Sequence, residues 1–478
     1  MKKVIYTIAA LFISMGMYAQ TAADALRYSQ VEYSGTARFN AMGGAFGALG
    51  GDFSSLSTNP AGIGLYKTSE FTVTPTIYQG KSSSSYFGHQ AEDDKYNFNL
   101  SNLGVVLTAE IPDRLGTPGW RNVQFGFGIN RLMNFNNRSM IEGYNDVNSM
   151  LTGYVNYANA YGIYSDSPEE LAEKANLIFE DGGIFYNDMP DGKVLQRKSL
   201  TTSGSMNELV LSAGANYSDM LYFGVTMGFP YFNYREESSY SEQDINNVNP
   251  YFHSYTLREQ LETSGTGFNL KAGLIFRPTD WLRIGGAYHS PTFFTDMNDV
   301  WSSNINSVFD SVIENKSVSS RIGEYNYELT TPMKLIGSVA IIVGTQGLIS
   351  ADYQYVDYTE AKLRPVGDYY DVNDAIQSSY KAQNIFRVGT EWRVGPFSFR
   401  GGYAWYESPF ANNLNDGERK SMSLGLGFRE QNYFMDFAFV QTKWTEDYYL
   451  YSLITEPGPS SVNKYTANSI QLTFGYKF

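Results

Sequence analysis

The sequence predicts an all-β protein, a transmembrane antiparallel β-barrel of about fourteen strands. Three observations predict it. The chain ends "NSIQLTFGYKF", where Ile470, Leu472, Phe474, Tyr476 and Phe478 share one face and Gln471, Thr473, Gly475 and Lys477 the other. That is the period-two alternation of a strand with one apolar side. Aromatic residues make up 16% of the 478 residues and charged ones 18%, which suits strands carrying aromatic girdles at two membrane interfaces. Finally, tight turns alternate along the chain with long polar stretches, the pattern of a barrel with short turns on one side of a membrane and long loops on the other.

Taken in order, residues 1–20 read as a signal peptide. Lys2 and Lys3 precede an apolar run over residues 4–17, and "MYAQ" offers a cut after Ala19 or Gln20. The run is short for a membrane anchor, which needs ~20 residues. Strand-like segments then start near residues 69, 96, 121, 199, 219, 251, 281, 320, 347, 383, 397, 418, 432 and 466. Many show the two faces clearly: Phe386, Val388, Thr390, Trp392 and Val394 oppose Arg387, Gly389, Glu391 and Arg393, and Met422, Leu424, Leu426 and Phe428 oppose Ser421, Ser423, Gly425 and Arg429. A charge facing lipid at mid-bilayer costs ~2–4 kcal/mol, so the charged face should point inward. Turns such as "YSDM", "RPTDW", "GTQG", "VGPF" and "REQN" carry Gly, Pro, Asn, Asp and Ser. The polar stretches near 80–95, 137–198, 237–252, 298–319, 361–381, 407–417 and 445–464 read as outer loops. The longest, 137–198, is partly helical: Ser167 caps, Pro168 opens, Glu170 completes a capping box, Leu171, Ala175, Ile178 and Phe179 share a face, and Gly182–Gly183 stop the helix over the outer mouth.

Composition excludes several functions. With 35 Lys and Arg against 49 Asp and Glu the net charge is −14, and no basic run offers the phosphate neutralisation that nucleic-acid binding needs. The chain has no Cys and three scattered His, His89, His253 and His289, so neither a metal site nor any other cofactor is expected. An esterase would need Ser and His paired in space, but His289 and Ser290 are neighbours on a strand and face opposite sides. No enzyme is expected.

The stretch "NAMGGAFGALGGDFSSLSTNPAGIGLY" at residues 40–66 invites a phosphate-loop reading, which fails: no Gly-Lys-Ser/Thr closes it and no strand precedes it. With the preceding "SGTARF" it resembles the N-terminal hatch of the FadL/TodX/OMPP1 outer-membrane transport family, in particular its Bacteroidetes-type members, through the glycine-rich approach and Asn59-Pro60-Ala61. The resemblance implies a hatch over residues 21–68 plugging a barrel of residues 69–478, and a cell outer-membrane location. Gly43, Gly44, Gly47, Gly50 and Gly51 would allow close approach and unusual φ, and Asn59 would satisfy buried backbone groups. It further implies a monomer that takes up hydrophobic small molecules, such as long-chain fatty acids or aromatic compounds. Outer loops capture the ligand, the hatch moves, and release is lateral, avoiding the lipopolysaccharide layer. Phe474, Tyr476 and Phe478 would be read by the barrel-assembly machinery. Some relatives instead dock proteins for a type IX-like secretion system, and that is the alternative function. Arg387, Glu391, Arg393 and Arg400 should face the lumen, as a seat for a carboxylate or as a salt-bridge network. Strands interrupted by Pro75, Pro230 or Pro291 are the candidates for the lateral opening.

Overall fold

The computed structural model describes residues 20–112, 119–189, 191–249, 251–310, 313–412, 415–454 and 457–478; the expected signal peptide lies outside them, save Gln20. Three short helices come first: α1 (Ala22–Ser29), α2 (Ala37–Ala41) and α3 (Ser55–Thr58), followed by a 3-10 turn, Pro60–Leu65. The wall is then built by fourteen antiparallel strands. They are β1 (Glu70–Tyr86), β2 (His89–Glu110), β3 (Trp120–Asn134, extended by Asn137–Asn145), β4 (Val194–Tyr217), β5 (Leu221–Gln243), β6 (Phe252–Thr279) and β7 (Leu282–His289 and Phe293–Phe309). The second half comprises β8 (Gly323–Thr330 and Lys334–Val343), β9 (Gly347–Asp357), β10 (Ala382–Val394), β11 (Phe397–Tyr406), β12 (Arg419–Arg429), β13 (Tyr433–Tyr449) and β14 (Ser460–Lys477). Pairing of β1 with β14, from Glu70↔Lys477 to Ser85↔Val462, closes the ring.

Side-chain alternation decides which way each strand faces. On β10 Arg387 and Glu391 are buried while Phe386, Val388 and Trp392 are exposed, and on β12 Ser421 and Ser423 are buried beneath exposed Met422, Leu424 and Leu426. Phe474, Tyr476 and Phe478 are exposed on the outer face of β14. This apolar exterior around a polar interior is the inverse of a soluble sandwich. Among the described residues no helix is long and apolar enough to cross a membrane.

Three local expectations need correction. The polar stretch 80–95 is a hairpin, not a loop: β1 and β2 stay paired to Tyr86↔His89 and turn at Phe87–Gly88. Likewise β5, β7 and β13 run on through 237–243, 298–309 and 445–449 of the expected loops, while β6 begins at Phe252, beside its expected start near 251. The outer faces of these extensions are largely polar and their apolar residues, such as Tyr240 and Ile305, turn inward, so no lipid-facing pattern marks them, and pairing simply propagates from the strands below. The helix in 137–198 is α5 (Pro168–Lys174), preceded by α4 (Met150–Tyr161). It stops at Ala175, ahead of Asn176 at φ +59°, and Gly182–Gly183 (φ +61° and +84°) instead make the two-residue turn of a hairpin joining Phe179–Asp181 to Ile184–Tyr186. Ser167 caps α5 as expected, but Glu170 accepts from the N–H of Asp166, not Ser167.

The outer mouth is covered by a packed cap. Leu151, Leu171, Ala175 and Ile178 bury against Tyr240, Tyr255, Leu257 and Ile305 of the strand extensions. Glu242, fully buried on β5, holds it in register: it accepts from Met150 N–H (2.8 Å), Gln196 Nε2 (2.9 Å), Tyr240 O–H (2.6 Å) and the Ser149 hydroxyl. Glu242→Leu leaves three buried donors, the Met150 N–H and the Ser149 and Tyr240 hydroxyls, unpaired at about 1–3 kcal/mol each before relaxation, while Gln196 keeps the Tyr451 hydroxyl at 2.9 Å. The expected outcome is rapid proteolytic cutting within 146–193 while the barrel stays intact.

Candidate functional site

The N-terminal segment lies inside the ring of strands. Thr21 caps α1 through a capping box with Asp24. The helix then buries Ala25, Leu26 and Tyr28, the last stacked on Phe232 of β5 at 4.5 Å between ring centroids. It touches α6 (Tyr370–Ser379), which comes down from an outer connection. Thr36 caps α2 by accepting from Phe39 N–H. Two glycine pairs then fold the chain back on itself. Gly43 and Gly44 stand at φ +63° and +75°, and Gly50 and Gly51 at +58° and +63°, where a side chain would be strained. Gly47 has no positive φ; a Cβ there would lie 1.9 Å from Ser338 Oγ of β8.

Asn59 organises the rest. Its Oδ1 accepts from Ala61 N–H (3.1 Å), capping the 3-10 turn that Pro60 opens. Its Nδ2 donates to the Gly47 carbonyl (2.6 Å) and the Leu274 carbonyl of β6 (3.3 Å). One side chain thus ties two passes of the inner segment to the wall. The wall answers with two inward glycines directly opposite each other, Gly224 of β5 and Gly273 of β6. A Cβ at Gly224 would lie 2.1 Å from the Pro60 carbonyl, and one at Gly273 1.9 Å from Asn59 Oδ1. Further bonds come from around the ring: Asp352 of β9 accepts from Phe46 and Gly47 N–H, Arg283 of β7 donates to the Leu49 carbonyl, Gln124 of β3 to the Tyr66 carbonyl, and Thr473 of β14 accepts from Ala37 N–H.

The predicted arginine cluster divides. Glu391 receives Arg393 Nη2 and Arg400 Nε, each at 2.7 Å, and also Arg38 Nε of α2 at 2.8 Å; Arg400 continues to Asp436 of β13 at 2.6 Å. Arg387 stands apart, donating to Gln354 (3.1 Å) and lying over the Tyr406 ring. Arg38 and Asp436 escaped the sequence reading: Arg38 stands in the "SGTARFN" approach with nothing to pair it, and Asp436 is one acid within the aromatic run "YFMDFAF". His289 Nε2 donates to the Thr58 carbonyl (2.6 Å), with Tyr33 O–H 3.4 Å from its other nitrogen. A second buried group forms where Glu208 meets Lys271, Ser57 and Asn269.

The wall is splayed between β2 and β3. β2 pairs with β3 only between Asn102↔Asn130 and Glu110↔Asn122. Beyond that level β3 breaks at Phe135–Asn136 and its extension pairs with β4, passing behind β1, where Ser82 donates to the Arg138 carbonyl. Residues of the inner segment occupy the vacated edge: Glu32 and Ser34 donate their N–H groups to the carbonyls of Leu132 and Arg131. On the other side Ser34 Oγ lies 2.9 Å from Ser101 Oγ of β2. Arg131 Nε reaches across to the Leu100 carbonyl (3.4 Å). The prolines mark no opening of this kind. Pro75 sits at a bulge between β1 and β2 and Pro291 lies in the short break of β7. Pro230 keeps its partner Glu208 on β4 but interrupts the ladder to β6, which skips from Gly228↔Asn269 to Tyr231↔Thr266. A lone Pro removes one donor, whereas a whole strand leaving the wall removes a ladder.

No protein-family model matches the sequence, and no curated protein sequence matches it significantly. Solved structures do resemble it. The toluene transporter TodX of Pseudomonas putida superposes with a TM-score of 0.57 at 12% identity, covering 94% of this chain and 99% of its own. This chain has the FadL/TodX fold. A FadL homologue of Pseudomonas aeruginosa gives 0.56 at 13% identity over 94% and 99% of the two chains, and the Ralstonia pickettii toluene transporter TbuX 0.52 at 14% over 93% and 99%. At these identities the FadL/TodX likeness is one of architecture, and residue roles have to be argued from this chain itself.

Proposed function

We propose that the chain is a FadL/TodX-type outer-membrane channel that takes up hydrophobic small molecules, such as long-chain fatty acids or aromatic compounds, with residues 21–68 as a movable hatch. Export by the N-terminal signal, insertion through the terminal Phe474, Tyr476 and Phe478, and function as a monomer belong to the same reading. One observation carries it: Ser34 bridges Ser101 of β2 and Arg131 of β3, so the hatch itself fills the gap in the wall. Shifting residues 32–34 unblocks the lumen sideways, into the apolar layer where a hydrophobic molecule is most stable. The three toluene and FadL-type structures support the reading by their shared architecture. The Glu391 cluster reads as a latch between hatch and wall, its carboxylate being already saturated with arginines.

The test is a reversible lock. The chain has no native cysteine, so Ser34→Cys/Ser101→Cys introduces a single pair of thiols. Under oxidation, uptake of a radiolabelled hydrophobic probe by cells relying on this channel should fall at least about tenfold, and reductant should restore it, because a disulfide holds its ends at fixed separation. Full uptake by the cross-linked protein sinks the proposal.

A further inference from the structure

The outer face of β13, β14, β1 and β2 changes character in successive register rows. Phe439, Ile470, Ile77 and Phe98 form one apolar row, all exposed. The next row is a ladder of polar side chains: Gln441 donates to Asn468 (3.0 Å), Asn468 to Gln79 (3.3 Å) and Gln79 to the Tyr96 hydroxyl (2.7 Å). Immediately beyond it come exposed lysines. Lys443 and Lys81 flank Thr466 from the two sides, and Lys464 stands one row further out between Thr445 and Ser83. Among the described residues none of these three ammonium groups has a carboxylate within ion-pair distance, whereas the neighbouring Lys420 is already paired with Glu418. Asp94 and Glu92 on β2 end the cationic patch on that flank, Asp94 being turned towards Gln79.

An apolar row, an amide row and a lysine row in that order reproduce the depth profile of a lipid leaflet: acyl chains, ester and glycosidic region, charged headgroup. Lysines fronting solvent alone would gain from acidic neighbours, as Lys420 does. We infer that Lys81, Lys443 and Lys464 hold the phosphate of a phosphorylated outer-leaflet lipid whose acyl chains lie along the apolar row. The inference rests on the outer-membrane reading above. It adds a lipid site on the wall beside β2, the strand that borders the splayed joint.

Native mass spectrometry of the detergent-purified full chain tests this, with bisphosphorylated lipid A as the probe and its fully dephosphorylated form as the comparison. One phosphorylated lipid should be retained at least about tenfold more tightly than the dephosphorylated one. Near a surface each lysine is worth about fivefold in affinity, so Lys81→Gln/Lys443→Gln/Lys464→Gln should erase the preference. The corresponding triple arginine variant should keep it, and Lys193→Gln/Lys316→Gln, elsewhere on the surface, should leave it unchanged. Equal retention of both lipids, or an unchanged preference in the triple Gln variant, overturns the inference. Release of the bound lipid by millimolar inorganic phosphate also overturns it, by making the patch a free-phosphate site. Uptake is read separately: a barrel that passes the hydrophobic probe but binds no lipid refutes this inference and leaves the transport reading standing.

Discussion

Gly273→Leu should yield a barrel that assembles but cannot seat residues 21–68, the proposed hatch. The position contributes nothing to the ladder that another residue could not, and its φ is unremarkable; the constraint is steric. A Cβ at Gly273 would sit 1.9 Å from Asn59 Oδ1 and 3.0 Å from Ala61 N, and the facing Gly224 leaves 2.1 Å to the Pro60 carbonyl. The obstructing atoms are a capped amide and backbone, so neither can swing aside as a long side chain would. Overpacking of this kind costs about 1–3 kcal/mol, and losing the Asn59 bonds to Gly47, Leu274 and Ala61 adds roughly 1 kcal/mol each. The sum, about 4–6 kcal/mol, is of the order of the small net stability that large opposing terms leave. Planar-bilayer conductance should show a persistently open pore in place of a closed channel. Gly337→Leu is the control, because a Cβ there meets nothing within 4 Å and the conductance should not change. A closed, native-like Gly273→Leu channel would show that Asn59-Pro60-Ala61 does not need this floor.

That floor also shows where sequence reasoning stops. Strand positions were legible wherever one face meets an apolar layer: β10, β11 and β12 begin within a residue of where alternation places them. They were lost where both faces are wet, as in the hairpin 80–95, because period two is then invisible. The glycines of residues 43–51 announce themselves by density, and Asn59-Pro60 by chemistry. Gly224 and Gly273 are each one small residue on the small-residue face of a strand, indistinguishable from other inward glycines until β5 and β6 are set in register. The same holds for Ser34 and Ser101, two of many serines, whose pairing depends on β3 leaving the wall. What the sequence lacks in each case is long-range partnership, which no local pattern encodes.

Glu391→Gln isolates the latch. The carboxylate is almost fully buried and receives Arg38, Arg393 and Arg400. Gln keeps the shape, removes the charge and brings an N–H₂ towards guanidinium groups that need acceptors. Asp436 can still serve Arg400, and Arg393 is half-exposed with water as an alternative, so the burden falls on Arg38. Its remaining partner is the Gly51 carbonyl at 3.4 Å, and the ring of Phe46 lies beneath it. Stranding a buried charge costs about 3–5 kcal/mol. Arg38→Met should cost less, since Glu391 keeps two arginines and the methionine stem can still pack on Phe46. The double variant Arg38→Met/Glu391→Gln should therefore be more stable than Glu391→Gln alone, with a coupling of about 1–3 kcal/mol. Hydrogen exchange of residues 37–51 reads the hatch directly, while melting in detergent reads the barrel. If the cluster is a latch, Glu391→Gln raises exchange in 37–51 by orders of magnitude with a small change in melting temperature, and Arg38→Met partly reverses it. If it only braces β10 against β11 and β13, melting falls, exchange in 37–51 follows global unfolding, and the two substitutions add. Because the pair is buried, added salt should shift neither result much, which separates this cluster from the lysine patch outside, where salt should matter.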